Sequence, residues 1–184
     1  MPSYSPTNFR KPTHLTQPAP DSPSLNPTTI NYFGTWRLLR TSNTFWSDKA
    51  RVRNIYTPTQ DDAFTYHTKP ASNNHEKRMQ GKNTPVEGSP GEFMWKGNGL
   101  MRLFTARWEI LGFGEMEGEG GSWMVTWQKE TVFTKAAVNI AVRLGEGEGE
   151  GGLDEETLGG IEEFISGLGE EWKEMVGRMV DVEQ

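Results

Sequence analysis

Three histidines, His14, His67 and His75, and no cysteine make up the conventional catalytic inventory of this sequence. They fall in a proline-rich start, in a β-like run and in a loop. No Gly-x-Ser-x-Gly turn accompanies them, so the pattern assembles neither a nucleophile nor its base. The Glu-Gly stretches at 114–122 and 145–152 offer carboxylates without the spacing of a calcium loop. On these grounds no catalytic residue and no metal ligand is assigned, and no cofactor is implied. What the chain has in quantity is aromatic: seven Trp and nine Phe, side chains that bury large areas and can wall a binding site. Two short stretches frame them. An aromatic Gly-Thr-Trp in NYFGTW, 31–36, opens the first apolar run, and an arginine closes the last one in VNIAVR, 138–143.

The elements that must position these residues are legible in the patterning. Residues 1–30 hold seven of the eleven prolines and show no hydrophobic period, which predicts a disordered N-terminal tail ahead of one domain over 31–184. From Gly34 onward, short alternating runs are bounded by turn residues: 34–41, 51–57, 63–68 after an Asp61-Asp62 turn, 78–84, 91–96, 106–113, 123–128 and 138–144. Short connections make sequential strands antiparallel neighbours. Eight of them can close and remove both edges, so the fold expected is all-β, an eight-stranded up-and-down β-barrel. After the 145–152 linker, Leu158, Ile161, Ile165 and Leu168 recur at helical spacing, predicting a C-terminal α-helix packed outside the barrel, then one short helical turn over 170–175 and an extended end.

This order of elements, with Gly34, Trp36 and Arg143 at its two ends and EFMWKGNGLMRLFTARWEILGFG between, resembles the lipocalins of the calycin superfamily. The likeness is to the plain bacterial and plant type and to fungal lipocalin-like proteins, and it covers 31–184. It implies that Trp36 sits at the closed end of the barrel with Arg143 stacked across it, a cation–π contact of about 0.5 to 2 kcal/mol. The Thr-Asp-Tyr-like turn usual between the sixth and seventh strands is replaced by GEMEGEGGS. By family register the inward residues are Leu38, Arg40, Asn54, Tyr56, Phe64, Tyr66, Phe93, Trp95, Trp108 and Ile110. On the seventh strand either Trp123, Val125 and Trp127 or Met124 and Thr126 face in. Haem-binding relatives need a histidine near the C-terminus, and none follows His75, so haem is set aside.

With Trp36 at the floor, the segments 42–50, 69–77, 97–105 and 129–137 form the mouth. Nine acids lie in the floor turns, and without them the formal charge of -6 becomes +3. A basic mouth over an acidic base attracts anions. Phe45, Trp46, Leu100, Met101, Leu103, Phe104, Val132 and Phe133 make that mouth apolar, either as a lid or as an exposed patch, the latter open to peripheral membrane contact. The function expected is binding of a small hydrophobic or amphipathic ligand, anionic if Arg40 anchors it and not if Arg40 pairs with an internal acid such as Glu109. The alternative is a cofactor-free isomerase or cyclase acting on an apolar natural-product intermediate. No apolar segment approaches the roughly 20 residues of a membrane span. Acidity disfavours nucleic acid, and the missing cysteines, with no signal-peptide core, lead to a cytoplasmic expectation.

Overall fold

The computed structural model describes residues 5–15, 24–69, 75–116, 121–143 and 152–184. Eight strands follow one another: β1 (Gly34–Thr41), β2 (Lys49–Tyr56), β3 (Asp61–Thr68), β4 (Lys77–Pro85), β5 (Glu92–Gly97), β6 (Thr105–Glu115), β7 (Ser122–Gln128) and β8 (Ala137–Arg143). Each is antiparallel to the next, and β1 pairs with both β2 and β8, so the sheet closes into a barrel. Asp62 belongs to β3 and not to the turn before it, because its backbone pairs with Tyr56 and Gly81.

β1 divides its length between its neighbours. Residues 34–37 pair with β2, and the ladder to β8 runs from Arg37 to Thr41 with a bulge between Leu38 and Arg40. Where β1 leaves β2, β9 (Val180–Asp181) pairs with Arg40 and Thr41. The end of the chain thus covers backbone that would otherwise be an open edge.

A short helix α1 (Thr44–Ser47) follows β1 at the mouth, capped by the Asn43 side chain, which accepts from the Phe45 N–H. Outside the barrel lie α2 (Glu155–Ser166) and α3 (Glu170–Gly177), two helices where the spacing predicted one and a single turn. Asp154 caps α2 by accepting from the Thr157 N–H at 2.7 Å. Gly159 and Gly160 do not break it, because Ile161 and Ile165 are buried against the barrel. Two apolar cores result. One fills the lower barrel around Trp36, Leu38, Ile110 and Met124; the other lies between the outer wall and the helices, built on Leu111, Trp123, Val125 and Ile140.

The N-terminal segment, expected as a disordered tail, docks on the barrel through Phe9 and Arg10, while Ser24, Asn26, Thr28 and Thr29 are exposed. Phe9 is buried, 4.4 Å from the Phe164 ring and 5.5 Å from that of Trp123. The Arg10 N–H donates to the Leu111 carbonyl at 2.9 Å, and its guanidinium pairs with Glu109 at 2.7 Å. Gly112 makes room for this strap, since a Cβ there would lie 3.0 Å from the Phe9 ring. Composition predicts tail behaviour from average apolarity, whereas a few anchors reaching a wall about 100 residues away suffice to dock it.

Candidate functional site

The closed end is built from the two stretches that frame the sequence. The Arg143 guanidinium lies 4.9 Å from the Trp36 ring centre. Trp36 Nε1–H donates to the Tyr32 carbonyl at 2.7 Å, while Arg143 donates to the carbonyls of Asn31 and Phe33 and to Ser122 Oγ. Burial lowers the Arg143 pKa from its ordinary value, and these acceptors compensate the charge that burial disfavours. Gly34 has φ +118°, and a Cβ on it would stand 3.1 Å from Arg143 Cδ, so the arginine crosses the floor only because glycine is there.

Above this floor the barrel opens into a cavity of about 400 Å³. Of the residues expected to face it, Asn54, Tyr56, Phe64, Trp95 and Trp108 are on its surface. Leu38, Phe93 and Ile110 point inward but fill the core beneath it, and Tyr66 packs against Phe45 and Trp46. On β7 the inward face is Met124 and Thr126, with Trp123, Val125 and Trp127 turned to the helices. The aromatic wall is made of two contacting groups: Phe93 stacks on Trp108 at 4.6 Å and Tyr56 on Trp108 at 5.3 Å, while Phe64 touches Trp95 at 5.7 Å and Trp46 at 5.5 Å. Trp46 reaches the wall from α1, so the mouth segment contributes a partial cover.

Arg40 is not in the cavity. The bulge after Leu38 adds one residue to β1 and reverses the alternation, so Arg40 points outward to Glu162 of α2 and Asp181 of β9. Thr41 takes the inward position and donates to Asn139 Oδ1 at 2.7 Å. Glu109 is also outside, buried beneath the N-terminal strap with Arg10 and the Thr13 N–H. Burial raises its pKa against the opposing Arg10 charge. Among the described residues that line the cavity, none is an acid, a lysine, an arginine or a histidine. Its polar groups are the amides of Asn43, Asn54, Gln128 and Asn139, the Tyr56 hydroxyl and threonine hydroxyls.

No protein-family model and no curated protein sequence matches the chain. Among solved structures, apocrustacyanin C1 superposes with a TM-score of 0.57 at 17% identity, over 86% of this chain and 81% of that one. Apocrustacyanin C2 gives 0.53 at 17% identity over the same shares. The bovine lipocalin allergen Bos d 2 follows at 0.46 and 13%, over 85% of this chain and 94% of its own. The first two, with the closed eight-stranded barrel, decide the fold.

The chain has a lipocalin fold. Within this lipocalin barrel a buried polar chain that the sequence did not reveal props the aromatic wall. Trp108 Nε1–H donates to Asn83 Oδ1 at 2.8 Å, and Asn83 Nδ2 donates to Asp62 Oδ2 at 3.1 Å. Burial pushes the Asp62 carboxyl up to about 7, against the hydrogen bonds from Asn83 and the Ala63 backbone. The Tyr56 hydroxyl is raised far above its ordinary value, first by burial and then by the Asp62 charge, and stays protonated. Its oxygen accepts from Asn54 Nδ2 at 3.3 Å, leaving Asn54 Oδ1 buried with no hydrogen-bond partner in the protein. Alternation along β8 would have found Asn139, which shares the face of Ala141 and Arg143. Asn83 gave no signal, because β4 is polar on both faces. Of the nine acids expected in the floor turns, Glu117, Glu119, Glu146, Glu148 and Glu150 lie outside the described residues, Glu115 ends β6, Asp154 caps α2, and Glu155 and Glu156 begin it.

Proposed function

We propose that the barrel binds a small neutral molecule, apolar over most of its length and carrying a hydroxyl or another neutral hydrogen-bonding group. The observation that carries this reading is a cavity of about 400 Å³ walled by Trp46, Tyr56, Phe64, Trp95 and Trp108 whose polar lining consists of amides and hydroxyls. That volume is within the range of small-molecule pockets. A carboxylate or ammonium entering it would lose hydration and meet no counter-charge among the described lining residues, which costs several kcal/mol more than placing a hydroxyl there. The unpartnered Asn54 Oδ1 marks where a ligand donor is received. The anion anchor expected of Arg40 has no part in this scheme, since that side chain is held outside by Glu162 and Asp181.

Titrating the full chain with a matched long-chain alcohol, carboxylic acid and amine tests the proposal through the fluorescence of the lining tryptophans. The alcohol should quench with roughly micromolar Kd and the ionised analogues at least about tenfold more weakly, a difference of about 1.4 kcal/mol. Asn54→Leu should weaken the alcohol and leave a plain alkane chain unaffected. Equal or tighter binding of the acid would overturn the neutral-ligand reading.

A further inference from the structure

Two loops at the open end hold large apolar side chains in water. The segment after β5 leaves Leu100 and Leu103 at 99% and 85% exposure, and the segment between β7 and β8 leaves Val132 and Phe133 at 93% and 67%. The loops meet, with the Phe104 and Phe133 rings 4.7 Å apart. Leu103, Val132 and Phe133 also border the cavity, so the exposed crest and the inner wall form one continuous apolar surface. Basic residues stand beside the crest: Arg102 within the first loop, Lys129 and Lys135 on either side of the second, against the single acid Glu130. These two segments are positive on a chain whose formal charge is -6.

We infer that this crest seats the barrel, mouth first, on the surface of an anionic lipid bilayer. A stable protein partner needs about 800 Å² of complementary face on each side, whereas two narrow tips carrying four protruding side chains act as pegs. Exposed leucine, valine and phenylalanine with arginine and lysine beside them in the same loops suit a bilayer interface, which offers acyl chains to the former and phosphates to the latter. The charge of the remaining chain reinforces the choice of end. An acidic body is repelled by anionic headgroups, so only the basic mouth approaches. The cavity then opens into the headgroup layer, and an apolar ligand can pass between bilayer and barrel without crossing bulk water. Docking itself does not depend on what the cavity holds.

Co-sedimentation of the full chain with phosphatidylcholine vesicles, with and without about one quarter phosphatidylserine, tests the inference. Binding should require phosphatidylserine and fall several-fold as salt rises from about 0.05 to about 0.3 M, because the Debye length shortens. The double variant Leu100→Asp, Val132→Asp should lose at least about tenfold in partitioning. It should keep the wild-type melting temperature, since neither side chain is buried. Lys129→Glu with Lys135→Glu should abolish the advantage of phosphatidylserine. Wild type that stays in the supernatant, or an aspartate variant that sediments as well as wild type, overturns the inference. So does a wild-type dimer that the aspartate pair turns into a monomer without any vesicle binding, which would make the crest a contact between copies.

Discussion

Asp62→Asn should stabilise the protein at alkaline pH and leave it unchanged in acid. The Asp62 side chain is buried on the inward face of β3; one oxygen accepts from Asn83 and the other, Oδ1, has no hydrogen-bond partner. Burial raises its pKa from 3.8 to about 7. The sign follows from the raised value: the unfolded chain gives up this proton near pH 4, while the folded chain holds it until about pH 7. The contribution of Asp62 to stability is therefore most favourable below pH 4 and declines as pH rises through that window. Above pH 7 the penalty levels off at about 4 kcal/mol, at 1.36 kcal/mol per pKa unit. Asparagine has the same shape, keeps an oxygen to accept from Asn83 Nδ2, and carries no charge at any pH. Urea unfolding followed by tryptophan fluorescence should show the variant about 2 to 4 kcal/mol more stable at pH 8 and within about 0.5 kcal/mol of wild type at pH 4. A gain of the same size at both pH values, or a loss at pH 8, would refute the account of Asp62 as a carboxyl strained by burial.

Two further perturbations probe the closed end and the strap. Trp36→Ala should cost about 3 to 5 kcal/mol, since it opens a core cavity and strands Arg143, and Arg143→Ala should cost less, both read from denaturant midpoints. Arg10→Met leaves Glu109 buried without its cation and should cost about 3 kcal/mol at pH 8. Because the Glu109 pKa is raised by burial and rises further without Arg10, this loss should shrink as pH falls and the carboxyl takes up a proton. A pH-independent loss would point to packing alone.

The barrel is legible in the sequence where short-range pattern decides the structure. Period-two alternation with turn residues at each end locates all eight strands, with every boundary within two residues. Trp36 and Arg143 are legible because each sits at a strand terminus that chain direction brings to the same end. The strap is not. Phe9 and Arg10 are single anchors in a proline-rich background, and what fixes them is a groove over β6 and β7 that exists only once the barrel has formed. Asp62 reads as a turn residue because Asp-Asp before an apolar run is turn chemistry. Only the pairing of β3 with β2 and β4 turns it into the barrel.

Arg40 shows how one residue of register alters the chemistry of the whole cavity. Strict alternation from Trp36 through Leu38 places it inside, where an ionised guanidinium would require a buried counter-ion and would select anionic ligands. The bulge between Leu38 and Arg40 sends it out instead, and Thr41 enters to bond Asn139. The displaced charge then serves a second purpose. Its guanidinium binds Glu162 of α2 and Asp181 of β9, tying both C-terminal elements to the stretch of β1 that has parted from β2. Both ion pairs are partly solvated, so each contributes about 1 kcal/mol or less. The larger effect is the avoided burial of an unpaired charge. A neutral cavity and a docked C-terminus therefore share one cause, and no propensity of Leu39 or its neighbours announces it.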